Sequence, residues 1–332
     1  MVDMDSDSLK RMHLYKAPTD SRGMPRVMGT ALGTLVMLLC TLESGYAKAN
    51  TSLLLGQAPN SETTANPVLL PGEAELNAGL EKILAGDVAG AISLFQTAIQ
   101  INPGLAPAYY NLGLAYQQQG QLQQAVNSFY QAVNVDPQFS IAQSNLGAAL
   151  LEAGNVQEAE THLRRAIELA PNLGLAHYNL GLALRAQNRL PEATTALETA
   201  TKVSPKAPEP FYHLGLLYAQ QGKASAAQTA FQEAIALNPR YAEAYYSLGS
   251  NYYDQGQFQE AIDAFRAAAE INSNYANAYY GAGLSFFKLG QLQDAQTLFG
   301  YARDLYQAQG NEEWARRAAQ QIQRAASGAI PQ

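Results

Sequence analysis

Five prolines stand at one interval along this chain: Pro103, Pro137, Pro171, Pro205 and Pro239, each 34 residues after the last. Seven glycines keep the same beat: Gly79, Gly113, Gly147, Gly181, Gly215, Gly249 and Gly283. A fixed period of this size means one supersecondary unit copied and stacked. Each copy is too small to bury its own apolar face, so neighbours must cover it, and the result is an extended surface rather than an enclosed pocket. The period therefore points to binding before it points to chemistry.

Counting Gly72 as the first residue of unit one, seven units of 34 residues run to Gln309 without an insertion. Repeat positions 4, 7, 8 and 11 form one stripe, as in Tyr109, Leu112, Gly113 and Tyr116, and positions 20, 24 and 27 a second, as in Ala125, Phe129 and Ala132. Three-and-four spacing is that of an amphipathic helix, so each unit reads as two helices. Position 15 separates them, with Gly86, Gly120, Gly154, Gly222, Gly256 and Gly290, and Asn188 in unit four. A helix that ends on a left-handed residue favours Gly and then Asn. The proline at position 32 stops the second helix, because it lacks an N–H and clashes backward. Small residues at positions 8 and 20, such as Gly181 with Ala193, allow close approach of the two helices, and Phe or Leu at position 24 fills the space between them.

This pattern resembles the tetratricopeptide repeat, with its W-x2-L-G-x2-Y, A-x3-F and P signature. Unit five carries Phe211, Leu214-Gly215, Tyr218, Ala227, Phe231 and Pro239; unit two carries Tyr109, Leu112-Gly113, Tyr116, Ala125, Phe129 and Pro137. The resemblance covers residues 72–309 and implies an all-α, right-handed α-solenoid of about seven helix-turn-helix units. Unit one departs from the signature with Glu75, Ala78 and Lys82, and units six and seven replace the proline by Ser273 and Gln307. Terminal repeats face water on one side, which tolerates such departures. Residues 310–332 read as a capping helix and tail, with Trp314, Ala318 and Ile322 on one face of a segment from about Asn311 to Ala326.

The N-terminus has a different character. Residues 27–42 are uncharged and mostly apolar, preceded by Arg22 and Arg26 and followed by Ala47-Lys48-Ala49. A basic lead, an apolar core and an A-x-A end make a secretory signal peptide of residues 1–49. The core is short for a bilayer span, which needs about 20 apolar residues. The alternative is an uncleaved anchor that attaches the chain to a membrane through residues 27–42. Either way the repeats are expected outside the cytoplasm, periplasmic or secreted. Residues 50–71, rich in Ser, Thr, Asn and Pro, read as a flexible linker.

In this family partners bind mainly in the concave groove lined by the first helix of each unit, at positions 2, 5, 6, 9, 12 and 13. Position 6 gives Asn77, Asn111, Asn145 and Asn179, then His213. A row of amides offers donors and acceptors to the backbone of an extended peptide. It is similar to the asparagine ladder in the repeat region of O-linked N-acetylglucosamine transferases. Position 5 gives Tyr110, Tyr178, Tyr212, Tyr246 and Tyr280, and position 12 adds Tyr253. Tyrosine supplies contact area at small entropic cost. The C-terminal half of the groove is thus expected to be aromatic and the N-terminal half amide and aliphatic. Packing within the stack is the competing role for the asparagines and tyrosines alike.

Several functions are disfavoured. The net charge is −7 and no basic block exists, which argues against nucleic acid. The four histidines and single Cys40 show no metal-ligand spacing, so no metal or other cofactor is expected. No nucleophile motif or phosphate loop accompanies His213, so no enzymatic activity is expected. Co-chaperone members of the family clamp a C-terminal carboxylate with Lys and Arg at positions 2, 5 and 6, and this chain has neither at those positions. The reading is an exported adaptor that takes extended peptides of other proteins, with a place in assembling a membrane or envelope complex. A scaffold subunit that uses its convex surface and leaves the groove empty is the alternative.

Overall fold

The computed structural model describes residues 70–328. The predicted signal segment and the linker up to residue 69 lie outside the described residues. All fifteen described elements are α-helices, and no strand occurs among the described residues. The chain divides into two compact units at Val203 and Ser204.

The N-terminal unit holds α1 (Glu73–Leu84), α2 (Val88–Ile101), α3 (Ala106–Gln118), α4 (Leu122–Val135), α5 (Ser140–Glu152), α6 (Val156–Leu169), α7 (Gly174–Ala186) and α8 (Leu190–Val203). These are four helical hairpins, each packed on the next. The C-terminal unit holds α9 (Pro208–Gln220), α10 (Ala224–Leu237), α11 (Ala242–Asp254), α12 (Phe258–Ile271), α13 (Ala276–Lys288) and α14 (Leu292–Ala308), which are three more hairpins, and α15 (Glu312–Ala326) packed on α14.

One packing rule repeats through both units. The alanines at position 20 (Ala91, Ala125, Ala159, Ala193, Ala227, Ala261, Ala295) and at position 27 (Ala98, Ala132, Ala166, Ala200, Ala234, Ala268, Ala302) are all fully buried. The position 24 side chain rests on the position 8 glycine. A Cβ at Gly113 would lie 2.6 Å from Cε1 of Phe129, and one at Gly181 would lie 2.6 Å from Cγ of Leu197. The glycine is therefore the seat of the ring, and any larger residue there overpacks the hairpin.

The turns are fixed locally. The position 15 residue is left-handed throughout, and Asn188, at φ 59°, is the one described non-glycine residue with positive φ. The next N–H reaches back to the last turn, as in Gln121 N to Tyr116 O (2.9 Å) and Arg189 N to Leu184 O (2.9 Å). That is the Schellman closure.

The stop of the second helix is not the work of proline alone. In unit six Ser273 replaces it, yet α12 still ends at Ile271. Position 31 explains this: the Oδ1 of Asn102, Asp136, Asn238 and Asn272 accepts from the N–H two residues on, at 2.9–3.1 Å. Such an Asx turn competes with the helix for the backbone donor. Unit seven has neither device, with Tyr306 and Gln307 at these positions, and α14 runs on to 17 residues. The extra helix expected after Gly310 is α15. Asn311 Oδ1 caps it by accepting from Trp314 N, and Ala315, Ala318 and Ala325 are buried beneath it.

Candidate functional site: an aromatic cleft in the C-terminal unit

In units two, five and six the position 5 tyrosine is set by a three-ring cluster. It leans on the position 24 ring of its own unit and on an aromatic at position 34, whereas Tyr178 has Leu197 and Ala207 at those positions. Tyr110 lies 5.8 Å from Phe129 and 5.2 Å from Phe139. Tyr212 lies 6.1 Å from Phe231 and 4.9 Å from Tyr241, and Tyr246 lies 5.6 Å from Phe265 and 5.1 Å from Tyr275. Tilted ring pairs at such distances add about 0.5–1.5 kcal/mol beyond area burial. In unit seven position 34 is Gln309, and Trp314 from α15 takes the third place, 5.6 Å from Tyr280, while Phe299 sits at 5.4 Å. The position 34 aromatics escaped the sequence reading. Their signal was their pairing with a position 5 tyrosine in units two, five and six.

In the N-terminal unit the amide row is tied largely to the stack itself. Asn111 is buried and donates through Nδ2 to Pro107 O on its own helix at 2.8 Å. Asn145, half-buried, donates to Ile141 O at 3.0 Å and to the hydroxyl of Tyr110 at 3.2 Å. Asn179 is buried, and its Nδ2 has no hydrogen-bond partner. The reason lies one repeat back. Where unit two offers the Tyr110 hydroxyl to Asn145, unit three has Ser144, whose Oγ is likewise buried and unpartnered. Asn77 and Tyr178 are half-buried. Tyr110 is buried, and its hydroxyl is pushed well above the usual phenol range by that burial.

The C-terminal unit brings its predicted residues together. Tyr246, Tyr253 and Tyr280, all half-buried, line one open cleft of about 330 Å³, closed at its end by Tyr306 and Trp314. The volume is at the low end for ligand sites. Tyr306 donates its hydroxyl to Asn277 Oδ1 at 2.5 Å, which ties α14 to the mouth of α13. Arg317 stacks on Trp314, 4.6 Å from the ring centroid. Burial, then the neighbouring Tyr212 and Asp254, raises the Tyr246 hydroxyl, and burial followed by Asp254 raises that of Tyr253, so both stay protonated donors at neutral pH. Tyr212 and His213 pair edge to face at 5.1 Å on α9 and are not among the lining residues. The wall residues Tyr306, Asn311 and Trp314 were not predicted as part of the site, because they belong to the last helix pair rather than to a groove position.

A second cleft of about 460 Å³ lies in the N-terminal unit among α6, α7 and α8. It is lined by Arg164, Glu168 and Glu192 from second helices together with His177, Leu180 and Leu184 at positions 4, 7 and 11 of α7. None of these is a groove position, which makes this the outer cleft of the unit. Beside it Glu160 accepts from Arg189 Nη1 at 2.7 Å, from Arg164 Nη2 at 2.8 Å and from Gln187 Nε2 at 2.8 Å, and so joins unit three to unit four. Burial pushes the Glu160 carboxyl up, but these three donors outweigh it and hold it below the usual range. Among the described residues no group of three or more His, Cys, Asp or Glu is placed to hold a metal ion.

Hairpins stacked on a 34-residue beat, with open clefts on their sides, define a helical-repeat protein of the interaction-scaffold class. The chain matches the family model described as the C-terminal domain of cilia and flagella-associated protein 70 over residues 39–271, and a tetratricopeptide repeat model over residues 248–307. It belongs to the tetratricopeptide repeat family. Among solved structures it is similar to a tetratricopeptide repeat protein from Parabacteroides merdae, at 19% identity over 75% of this chain and 98% of that one, with a TM-score of 0.57. It is also similar to PilW, described as a widely conserved type IV pilus biogenesis factor, at 20% identity over 64% of this chain and 96% of that one, with a TM-score of 0.56. YrrB, described as having an unusual peptide-binding site, matches at 23% identity over 59% of this chain and all of its own, with a TM-score of 0.50. No curated protein matches the chain. These likenesses establish the fold.

Proposed function

We propose that this chain is an exported adaptor that captures extended segments of other proteins on the inner helix faces of its repeats, with the C-terminal cleft as the principal site. One observation carries the reading: Tyr246, Tyr253 and Tyr280, from successive first helices, converge with Trp314 on a single open cleft. Aromatic anchors in a concave, half-desolvated setting are the usual centres of binding energy. Tyr212 and His213 extend the aromatic face by one unit. In the N-terminal unit Asn77, Asn145 and Tyr178 offer a second stretch, while Tyr110, Asn111 and Asn179 support it from below. Export rests on residues 1–49, read as a cleaved signal or, through residues 27–42, as an anchor. Among the described residues no helix is long and apolar enough to cross a membrane. Assembly of an envelope complex is the process such an adaptor would serve. It requires no catalysis, metal, cofactor or nucleic acid.

A second reading, a scaffold subunit that works through its outer face, is favoured by the charged cleft of Arg164, Glu168 and Glu192. Site-specific photocrosslinking separates the two. A photoreactive residue at position 253 should capture discrete peptide segments, and one at position 195, in the outer cleft, should not. Capture at 195 with silence at 253 would transfer the function to the outer surface.

A further inference from the structure

We propose, resting on the reading of the C-terminal cleft as a peptide site, that its ligand is a proline-rich segment in the polyproline II conformation. Three features of the cleft select it.

The first is shape. Tyr280 and Trp314 stand at 85° to one another with centroids 5.6 Å apart, and Tyr306 lies at 32° to Trp314 at 5.8 Å. Flat rings meeting at a right angle make a notch for another flat, rigid ring. A polyproline II strand presents such rings on one edge every third residue and is already ordered before it binds.

The second is charge. No Asp, Glu, Lys, Arg or His lines the cleft. Arg317 covers one face of Trp314 from its own helix, so that face already has its cation. The ligand that complements this surface is uncharged, unlike any guest of the outer cleft with its arginine and glutamates.

The third is the balance of donors and acceptors. Asn277 Oδ1 is occupied by the Tyr306 hydroxyl, and Asn311 Oδ1 accepts from Trp314 N at 3.4 Å. Both amides are left with their NH₂ groups to give. The hydroxyls of Tyr246, Tyr253 and Tyr280 add further donors. An ordinary extended peptide also brings one N–H per residue and must use hydroxyl oxygens as its acceptors, since both amide oxygens are already engaged. Proline brings carbonyl acceptors and no N–H.

The chain has one tryptophan, Trp314, so intrinsic tryptophan emission reports on the cleft alone. Titrating the full chain with a decaproline peptide should give a saturable change in that emission. A Gly-Ser peptide of equal length should give none. By calorimetry, Tyr253→Ala should weaken decaproline binding tenfold or more. Asn277→Asp, an exposed and isosteric change that turns a donor into an acceptor, should weaken it several-fold with helicity unchanged. If decaproline is silent while peptides crosslinked at position 253 bind, the proline claim is overturned and peptide capture stands. If an oligosaccharide such as cellohexaose binds in place of decaproline, the proline claim is overturned as well. If no peptide of any kind binds and nothing crosslinks at 253, the peptide reading itself falls.

Discussion

The two compact units share one register and one set of buried alanines, yet they spend their inner helix faces differently. In the N-terminal unit the position 6 amides turn inward: Asn111 bonds its own helix, and Asn145 bonds Tyr110 one repeat back. Cohesion between units three and four comes from the ion network around Glu160 on another face. In the C-terminal unit position 6 carries His213, Ser247 and Gly281, and the position 5 rings beside it supply both the packing and the wall of the cleft. Gly281 shows why the change goes together, since a Cβ there would meet Cζ of Phe265 at 2.7 Å. The scaffold positions are constant; what they display is set by whether a unit holds its neighbour through polar groups or through rings.

Removing a position 24 ring breaks what both units have in common, and it is the largest effect. Phe129→Ala and Phe265→Ala should each cost about 3–5 kcal/mol in denaturant unfolding. Similar losses in the two units are expected, because both rings are nearly fully buried, at 0% and 3% exposure. Next comes the glycine seat. Gly113→Ala should cost about 1–3 kcal/mol by driving a Cβ into the Phe129 ring, and pairing it with Phe129→Leu should recover part of that loss in the same unfolding assay.

The polar cohesion of the N-terminal unit is smaller and depends on pH. Glu160→Gln should cost about 1–2 kcal/mol near neutral pH through lost charge-assisted bonds. Because the folded carboxyl titrates below the unfolded one, that contribution is present above the ordinary carboxylate value. It should vanish as pH falls through about 4 and below. Melting curves of the two proteins should therefore converge in acid and diverge at pH 7. The aromatic unit offers the opposite sign. Burial raises the Glu209 carboxyl on α9, and its Oε2 is buried without a partner, so Glu209→Gln should stabilise slightly at pH 7 and lose that advantage in acid. The smallest effect is at the unit four turn, where Asn188→Gly should gain under about 1 kcal/mol by relieving a left-handed side chain.

Most of this architecture was legible in the residues. The glycine beat predicted the left-handed turns, including the Asn188 substitute, and the small residues at positions 8 and 20 predicted close helix approach. The stop of the second helix was credited to proline, but Asn272 performs it without one. Asx turns are a side-chain-to-backbone effect that periodicity does not display. The cleft was half legible: tyrosines at positions 5 and 12 marked its wall, whereas Trp314 and Tyr306 reach it only because α14 overruns and α15 folds over it. Nothing in the 34-residue register marks the division after Val203.

The inner cleft is the claim on which the account turns, and the affinity of one crosslinked peptide for three forms of the full chain tests it most directly. Calorimetry should show at least a tenfold loss, about 1.4 kcal/mol, for Tyr253→Ala and an unchanged affinity for Thr195→Ala on the outer cleft. Full affinity in Tyr253→Ala with a loss in Thr195→Ala would contradict it.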